Sequence, residues 1–221
     1  MFVRSNWTYN KVVTLSRFDI VHHRRRVAGL KLPGHYGSSM DIDSEEWAAR
    51  LRENRAEKDR FFAEHRQSPI PPEDRDDFDG LSYFEPDPEY RVEATVTVHE
   101  TPESVDLETS DDRTVRYLHV ASLSFDLDGE SRELHAFRQA ADESRTLFVP
   151  FRDKTTGQQS YDGGRYMELE PDRDLSDGDE ITLDFNLAYS PFCAYSDTFS
   201  CPLPPESNWL DATVTAGERI D

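Results

Sequence analysis

From Tyr90 the chain alternates. Val92, Ala94, Val96 and Val98 fall on one face of an extended segment and Glu93, Thr95 and Thr97 on the other, the two-residue period of a half-buried strand. Further strands are predicted at 105–109, 114–120, 123–127, 132–138, 146–151, 164–169, 180–187 and 209–216. Asp128-Gly129 is a two-residue hairpin signal between two of them. Gly157, Gly163, Asp177-Gly178 and Gly217 punctuate the rest.

Upstream the period changes. Asp43-x-x-Glu46 is a capping-box pattern, and Trp47, Leu51, Lys58 and Phe62 recur at helical spacing with Phe61 alongside. This predicts an amphipathic helix from 43 to about 65, ended by Ser68-Pro69-Ile70-Pro71-Pro72. Phe78, Leu81, Tyr83 and Phe84 then pin an irregular crossing against one end of the core. One helix followed by about nine short strands and close turns predicts a mainly β fold, an antiparallel β-barrel or β-sandwich. No helix separates consecutive strands, which argues against a doubly wound nucleotide fold.

The 221 residues suit a single domain. Charge divides them: residues 1–39 carry seven Lys/Arg and one acid, whereas the rest carries 18 basic and 44 acidic residues, a net of −26. The break predicts a single acidic β domain over 40–221 that starts at Met40, with 1–39 a disordered or wrongly assigned basic extension. After Met40 the only lysines are Lys58 and Lys154. Such a surface keeps its hydration in molar salt, where charges are screened beyond about 3 Å. It points to a halophilic, cytoplasmic protein. It also argues against nucleic acid as a partner, since phosphate contacts need a Lys/Arg footprint. No apolar run has the length of a membrane-spanning helix, so no membrane partner is expected. Oligomeric state is left open.

Rare residues concentrate between Leu147 and Leu210. Cys193 and Cys201 lack the spacing and the nearby histidines of a zinc site, so no metal is expected, and two buried thiols are the plain reading. Asp126-x-Asp128-Gly129 and Asp177-Gly178-Asp179 lack the oxygen ladder of a calcium loop. No motif names a cofactor. Arg165 lies beside Gly163-Gly164 and between Tyr161 and Tyr166. Alternation over 180–187 puts Asp184 and Asn186 opposite Ile181, Leu183, Phe185 and Leu187. Arg165 is thus a candidate anion grip, with Tyr161, Asp184, Asn186, Tyr189, Cys193, Tyr195 and Glu218 as the other candidate ligand-binding residues.

At these positions the chain resembles a prokaryotic family, the domain of unknown function 1684, from about Trp47 to Glu218. The resemblance is carried by Lys58-Asp59-x-Phe61-Phe62, Phe78-x-Gly80-Leu81-x-Tyr83-Phe84 and Phe148-x-Pro150-Phe151-x-Asp153-x-Thr155-x-Gly157. Gly164-Arg165-Tyr166, Asp184-Phe185-Asn186-x-Ala188-Tyr189, Cys193-Ala194-Tyr195, Cys201-Pro202-x-Pro204-Pro205 and Ala216-Gly217-Glu218 complete it. Ser190 and Phe192 stand where the resemblance implies Asn and Tyr. It implies no activity, cofactor or catalytic residue. Three readings follow: a small-molecule-binding β domain, an enzyme using Asp184 or Glu218 as acid/base with Arg165 stabilising negative charge, and a structural or protein-interaction domain.

Overall fold

The computed structural model describes residues 44–140 and 144–220. The basic segment 1–39, the expected start at Met40 and the Asp43 member of the capping box lie outside the described residues. Helix α1 spans Ser44–Glu64, with Glu45 and Glu46 in its first turn, where the helix dipole favours negative charge. Six strands follow: β1 (Arg91–Glu108), β2 (Thr114–Leu127), β3 (Glu130–Arg138), β4 (Leu147–Phe151), β5 (Arg165–Leu169) and β6 (Glu180–Asp184). All pairings are antiparallel, in the order β5-β4-β3-β2-β1-β6. The sheet curls into a half-barrel. Chain leaving β6 reaches the opposite edge, where Tyr166 and Tyr189 exchange backbone hydrogen bonds of 2.8 and 3.0 Å.

Six strands stand where nine were expected, for two reasons. The segments 90–98 and 105–109 are one strand, β1, whose pairing with β2 shifts register between Val98 and Glu103. Likewise 114–120 and 123–127 join as β2, which shifts against β3 between His119 and Ala121. Each bulge resets the phase of alternation without ending the strand. The third loss is 209–216. Its alternation is real, with Leu210, Ala212, Val214 and Ala216 all buried, but it joins no sheet ladder of its own. At the β2–β3 hairpin Asp128 and Gly129 both take positive φ (55° and 75°), the two-residue turn the Asp-Gly pair predicts.

Two cores sandwich the sheet. Ala94, Val96, Leu123, Phe125, Leu134, Val149, Phe151, Met167 and Leu183 fill one face with Val214 and Ala216. On the other, Leu107, Tyr117, Phe137, Phe148 and Tyr166 pack around Cys201. β4 is buried at all five positions because it contributes to both, which is why its sequence is an unbroken apolar run. β3 and β4 pair only at Phe137 and Phe148. Asn208, fully buried, completes the seam there by accepting from His135 N (2.9 Å) and donating to the carbonyls of His135 (2.9 Å) and Pro150 (2.7 Å). A side-chain amide here substitutes for a strand backbone.

Gly217 makes the last extended segment possible. Its φ is +79°, and a Cβ there would sit 2.5 Å from the Ala188 carbonyl oxygen and 2.8 Å from that of Phe185. Gly129 has a similar φ with open space around it. Gly129→Ala should therefore cost only the left-handed backbone term, about 1–2 kcal/mol. Gly217→Ala should cost clearly more in a denaturant melt, and equal costs would show that the close approach is relieved freely.

The face of β1–β3 also carries a row of histidines. His119 lies between His99 and His135, with ring centroids 4.3 and 4.0 Å away, and the His99 and His119 Nε2 atoms reach Ser122 Oγ at 3.2 and 3.4 Å. Burial, then the two neighbouring rings, pulls His119 down to about 4. The folded state thus takes up this proton at lower pH than the unfolded chain does. Stability from this site is complete above the unfolded value near 6.5 and declines as pH falls towards 4. A His119→Gln variant should flatten that part of the stability profile, and an unchanged slope would remove His119 as its source.

Candidate functional site

Leu210 N donates to Arg152 O and Lys154 N to Ala212 O, both at 2.8 Å, so 209–212 runs beside the chain after β4. Beyond Ala212 the neighbouring backbone gives way to side chains. Asp153 Oδ2 accepts from Val214 N at 2.7 Å, and the Arg165 guanidinium bonds three alternate carbonyls. Its Nη2 donates to Val214 O (2.9 Å), and its Nη1 to Ala216 O and to Glu218 O (3.1 Å). The Val214 and Ala216 carbonyls share a side of the extended run, and Gly217, at φ +79°, turns the chain so that the Glu218 carbonyl meets the same planar fork of donors.

Arg165 is 1% exposed. Its charge is met by Asp153, whose Oδ1 lies 3.3 Å from Nη2 and accepts from Thr155 Oγ1 at 2.8 Å. Ser160 Oγ lies 2.9 Å from Thr155 Oγ1 and closes the cluster. Burial pulls the guanidinium below the ordinary arginine range and Asp153 opposes the shift, so it stays cationic. Its flanks rest on Phe151 and Phe84, at 5.3 and 5.9 Å from the ring centres. The expected anion grip is therefore occupied by the protein's own backbone.

Asp184, Glu218 and Tyr195 meet α1 instead. The helix lays Trp47, Leu51, Arg55, Lys58 and Phe62 along one stripe, with Leu51 and Phe62 buried. Trp47 Nε1 donates to Asp184 Oδ2 at 2.7 Å, while Asp184 Oδ1 accepts from Asn186 N and Nδ2 at 3.0 Å. Asn186 also clasps Asp87, donating to its carbonyl and accepting from its N–H. Lys58 Nζ bonds Glu218 Oε1, and Oε2 accepts from Ser190 N (2.8 Å) and Tyr195 Oη (3.0 Å). Phe62 packs edge-on to Tyr195 and Phe192. Burial, then Glu218, raises the Tyr195 hydroxyl, so it remains a neutral donor.

The strand expected over 180–187 ends at Asp184 and turns into the 3-10 helix Phe185–Leu187. Asn186 is consequently buried and Leu187 exposed, the reverse of the expected faces. Ser190, where an amide was expected, uses its backbone N–H, so this contact survives the change. Tyr189 Oη donates to Glu168 Oε1 (2.9 Å), and its ring lies 4.7 Å from Lys58 Nζ. Tyr161 and Cys193 stand apart, with the tyrosine hydroxyl 3.6 Å from the thiol. The eight candidates thus divide among an Arg165 cluster, an α1-facing cluster and a thiol cluster. Among the described residues, no three or more His, Cys, Asp or Glu side chains form a group that could hold a metal ion.

Sequence reasoning gave no role to Asp153, Thr155, Ser160, Asn208 or Arg55. Asp153, Thr155 and Ser160 lie in the chain between β4 and β5 and Asn208 ends the 3-10 helix Glu206–Asn208, and no periodicity marks any of them. Arg55 and Lys58 had a usable signal, since both are cations on the apolar stripe of a helix.

A helix-capped, curled antiparallel sheet with a buried polar cluster around Arg165 is the class of protein this geometry defines. The chain belongs to the family described as "Protein of unknown function (DUF1684)", whose model matches residues 76–219. It is similar to the solution NMR structure of an uncharacterized protein of Haloarcula marismortui, with 90% identity over 82% of this chain and 98% of that one and a TM-score of 0.67. Comparison with curated proteins gives no match. Among the described residues no helix is long and apolar enough to cross a membrane.

If Arg165 is a scaffold residue, Arg165→Met should destabilise the fold by about 3–5 kcal/mol, because it strands the buried Asp153 carboxylate. Adding Asp153→Asn should return part of that loss. Strictly additive effects in urea melts would show that the two groups do not act as a pair.

Proposed function

We propose that this protein is a non-catalytic, small-ligand-binding β domain that takes a small anion beneath α1, next to Arg55 and Tyr83, with the Arg165 cluster as scaffold. The reading is carried by unused donors. Arg55 Nη1 donates to Phe84 O at 2.9 Å, and the guanidinium sits 4.5 Å over the Tyr83 ring. Its Nε and Nη2, and the Tyr83 hydroxyl, are buried without a partner among the described residues. Burial pulls Arg55 below its ordinary range and raises the Tyr83 hydroxyl, which leaves a cation and a neutral donor side by side. Buried donors in this state call for an acceptor, and a carboxylate or phosphate supplies one in the geometry a guanidinium prefers.

The enzyme reading has less support. Both oxygens of Asp184 and of Glu218 already accept hydrogen bonds within the chain, and Arg165 reaches Glu218 through its carbonyl. The acidic body and the likeness to a Haloarcula protein support a cytoplasm of high salt as its setting.

The Arg55 Nε–Hε NMR signal tests the proposal. At constant ionic strength in potassium chloride, phosphate or citrate should move it saturably and leave that of Arg152 unmoved. If neither anion shifts Arg55 more than chloride does, water fills the position and the ligand-binding reading fails.

A further inference from the structure

The thiol cluster takes no part in the Arg165 scaffold or in the α1-facing contacts, and it has its own chemistry. Cys193 lies in the 3-10 helix Phe192–Ala194 and is half-buried, whereas Cys201 is buried against Tyr117, Phe137, Phe148 and Tyr166. Both are free thiols. The Cys193 N–H donates to Cys201 Sγ at 3.3 Å, which brings the inner sulfur against the outer cysteine. Ser110 anchors the inner cysteine from the other side, its N–H bonding Cys201 O at 2.9 Å and its hydroxyl accepting from Cys201 N at 3.2 Å. On the outer side the Tyr161 hydroxyl donates towards Cys193 Sγ.

We propose that Cys193 and Cys201 form a reversible thiol–disulfide site whose oxidant is a hydroperoxide, with Cys193 attacking and Cys201 resolving. The outer thiol belongs to the more exposed of the two residues, and the Tyr161 hydroxyl donates towards its sulfur. The Cys201 thiol, then Tyr161 and Ser110, pull Cys193 down to about 6 against its own burial, which favours thiolate at neutral pH. The hydrogen bond to Cys193 and burial push Cys201 up, so it keeps its proton.

The Cys193 thiolate attacks one peroxide oxygen, the O–O bond breaks, and the other oxygen leaves as an alcohol, or as water from hydrogen peroxide, after taking a proton. Cys193 is now a sulfenic acid. The Cys201 sulfur attacks the Cys193 sulfur, the S–O bond breaks, and the hydroxide leaves with the Cys201 proton as water. Two thiols have lost two electrons and two protons, and the peroxide has gained both. A small thiol reverses the change by exchange.

Hydrogen peroxide added to the folded full-length chain tests this, read by intact mass and thiol alkylation. The expected product has lost two hydrogens, has neither thiol free, and regains both with dithiothreitol. In Cys201→Ser the reaction should stop at a Cys193 sulfenic acid that dimedone traps. In Cys193→Ser the remaining thiol should react at least about tenfold more slowly, as a buried protonated thiol does. The wild-type mass decides the matter even if either variant fails to fold. Addition of oxygen atoms at Cys193 without loss of Cys201, or reaction of both thiols only after denaturation, would overturn the proposal.

Discussion

One guanidinium carries the last extended segment of the fold. Arg165 bonds the carbonyls of Val214, Ala216 and Glu218, and Asp153 takes the intervening Val214 N–H. Together the two side chains replace the neighbouring strand that this segment lacks. A buried backbone without partners costs more than a modest hydrogen bond gains, so the segment cannot lie in the core unless they are present. Arg165 in turn cannot be buried without Asp153 and the aromatic faces of Phe84 and Phe151. The pair and the segment each require the other.

From that clamp the rest of the polar interior follows. With 214–218 held in place and Gly217 turning the chain against Ala188, Glu218 presents its carboxylate to Lys58, Tyr195 and Ser190. That carboxylate and Asp184 are the anchors by which the sheet holds α1, through Lys58 and Trp47. Phe62 adds an apolar contact worth about 1.5–3 kcal/mol at full burial. The expected ligand contacts are thus contacts between parts of one chain. Of the described buried polar atoms left without a partner, three sit together one helical turn before Lys58, on Arg55 and Tyr83.

Much of the fold was legible. Alternation located every observed strand, and helical spacing placed α1 to within a residue or two of its observed ends. It failed where a local signal stands for a non-local fact. A bulge and a strand end both interrupt alternation, so β1 and β2 were each divided. The pattern at 209–216 reports which side chains are buried and is silent about what bonds the backbone, and here a side chain does. The candidate site was legible as a place but not as a role. Arg165, Asp184, Asn186 and Glu218 were singled out by residue type, yet whether an arginine faces a ligand or its own backbone depends on burial. Sequence spacing does not report burial where segments distant in the chain, around 153, 165 and 214, meet.

Native-state hydrogen exchange at Val214 and Glu218 tests the clamp most directly, since these amides belong to the segment and bond Asp153 Oδ2 and Ala188 O. If Arg165 and Asp153 make the segment part of the core, both amides should open with the same free energy as Leu123 and Leu134 in the centre of β2 and β3, through global unfolding. Opening of Val214 and Glu218 at markedly lower free energy, with the β2–β3 amides still protected, would contradict the account and reduce 214–218 to a strap laid over a finished fold.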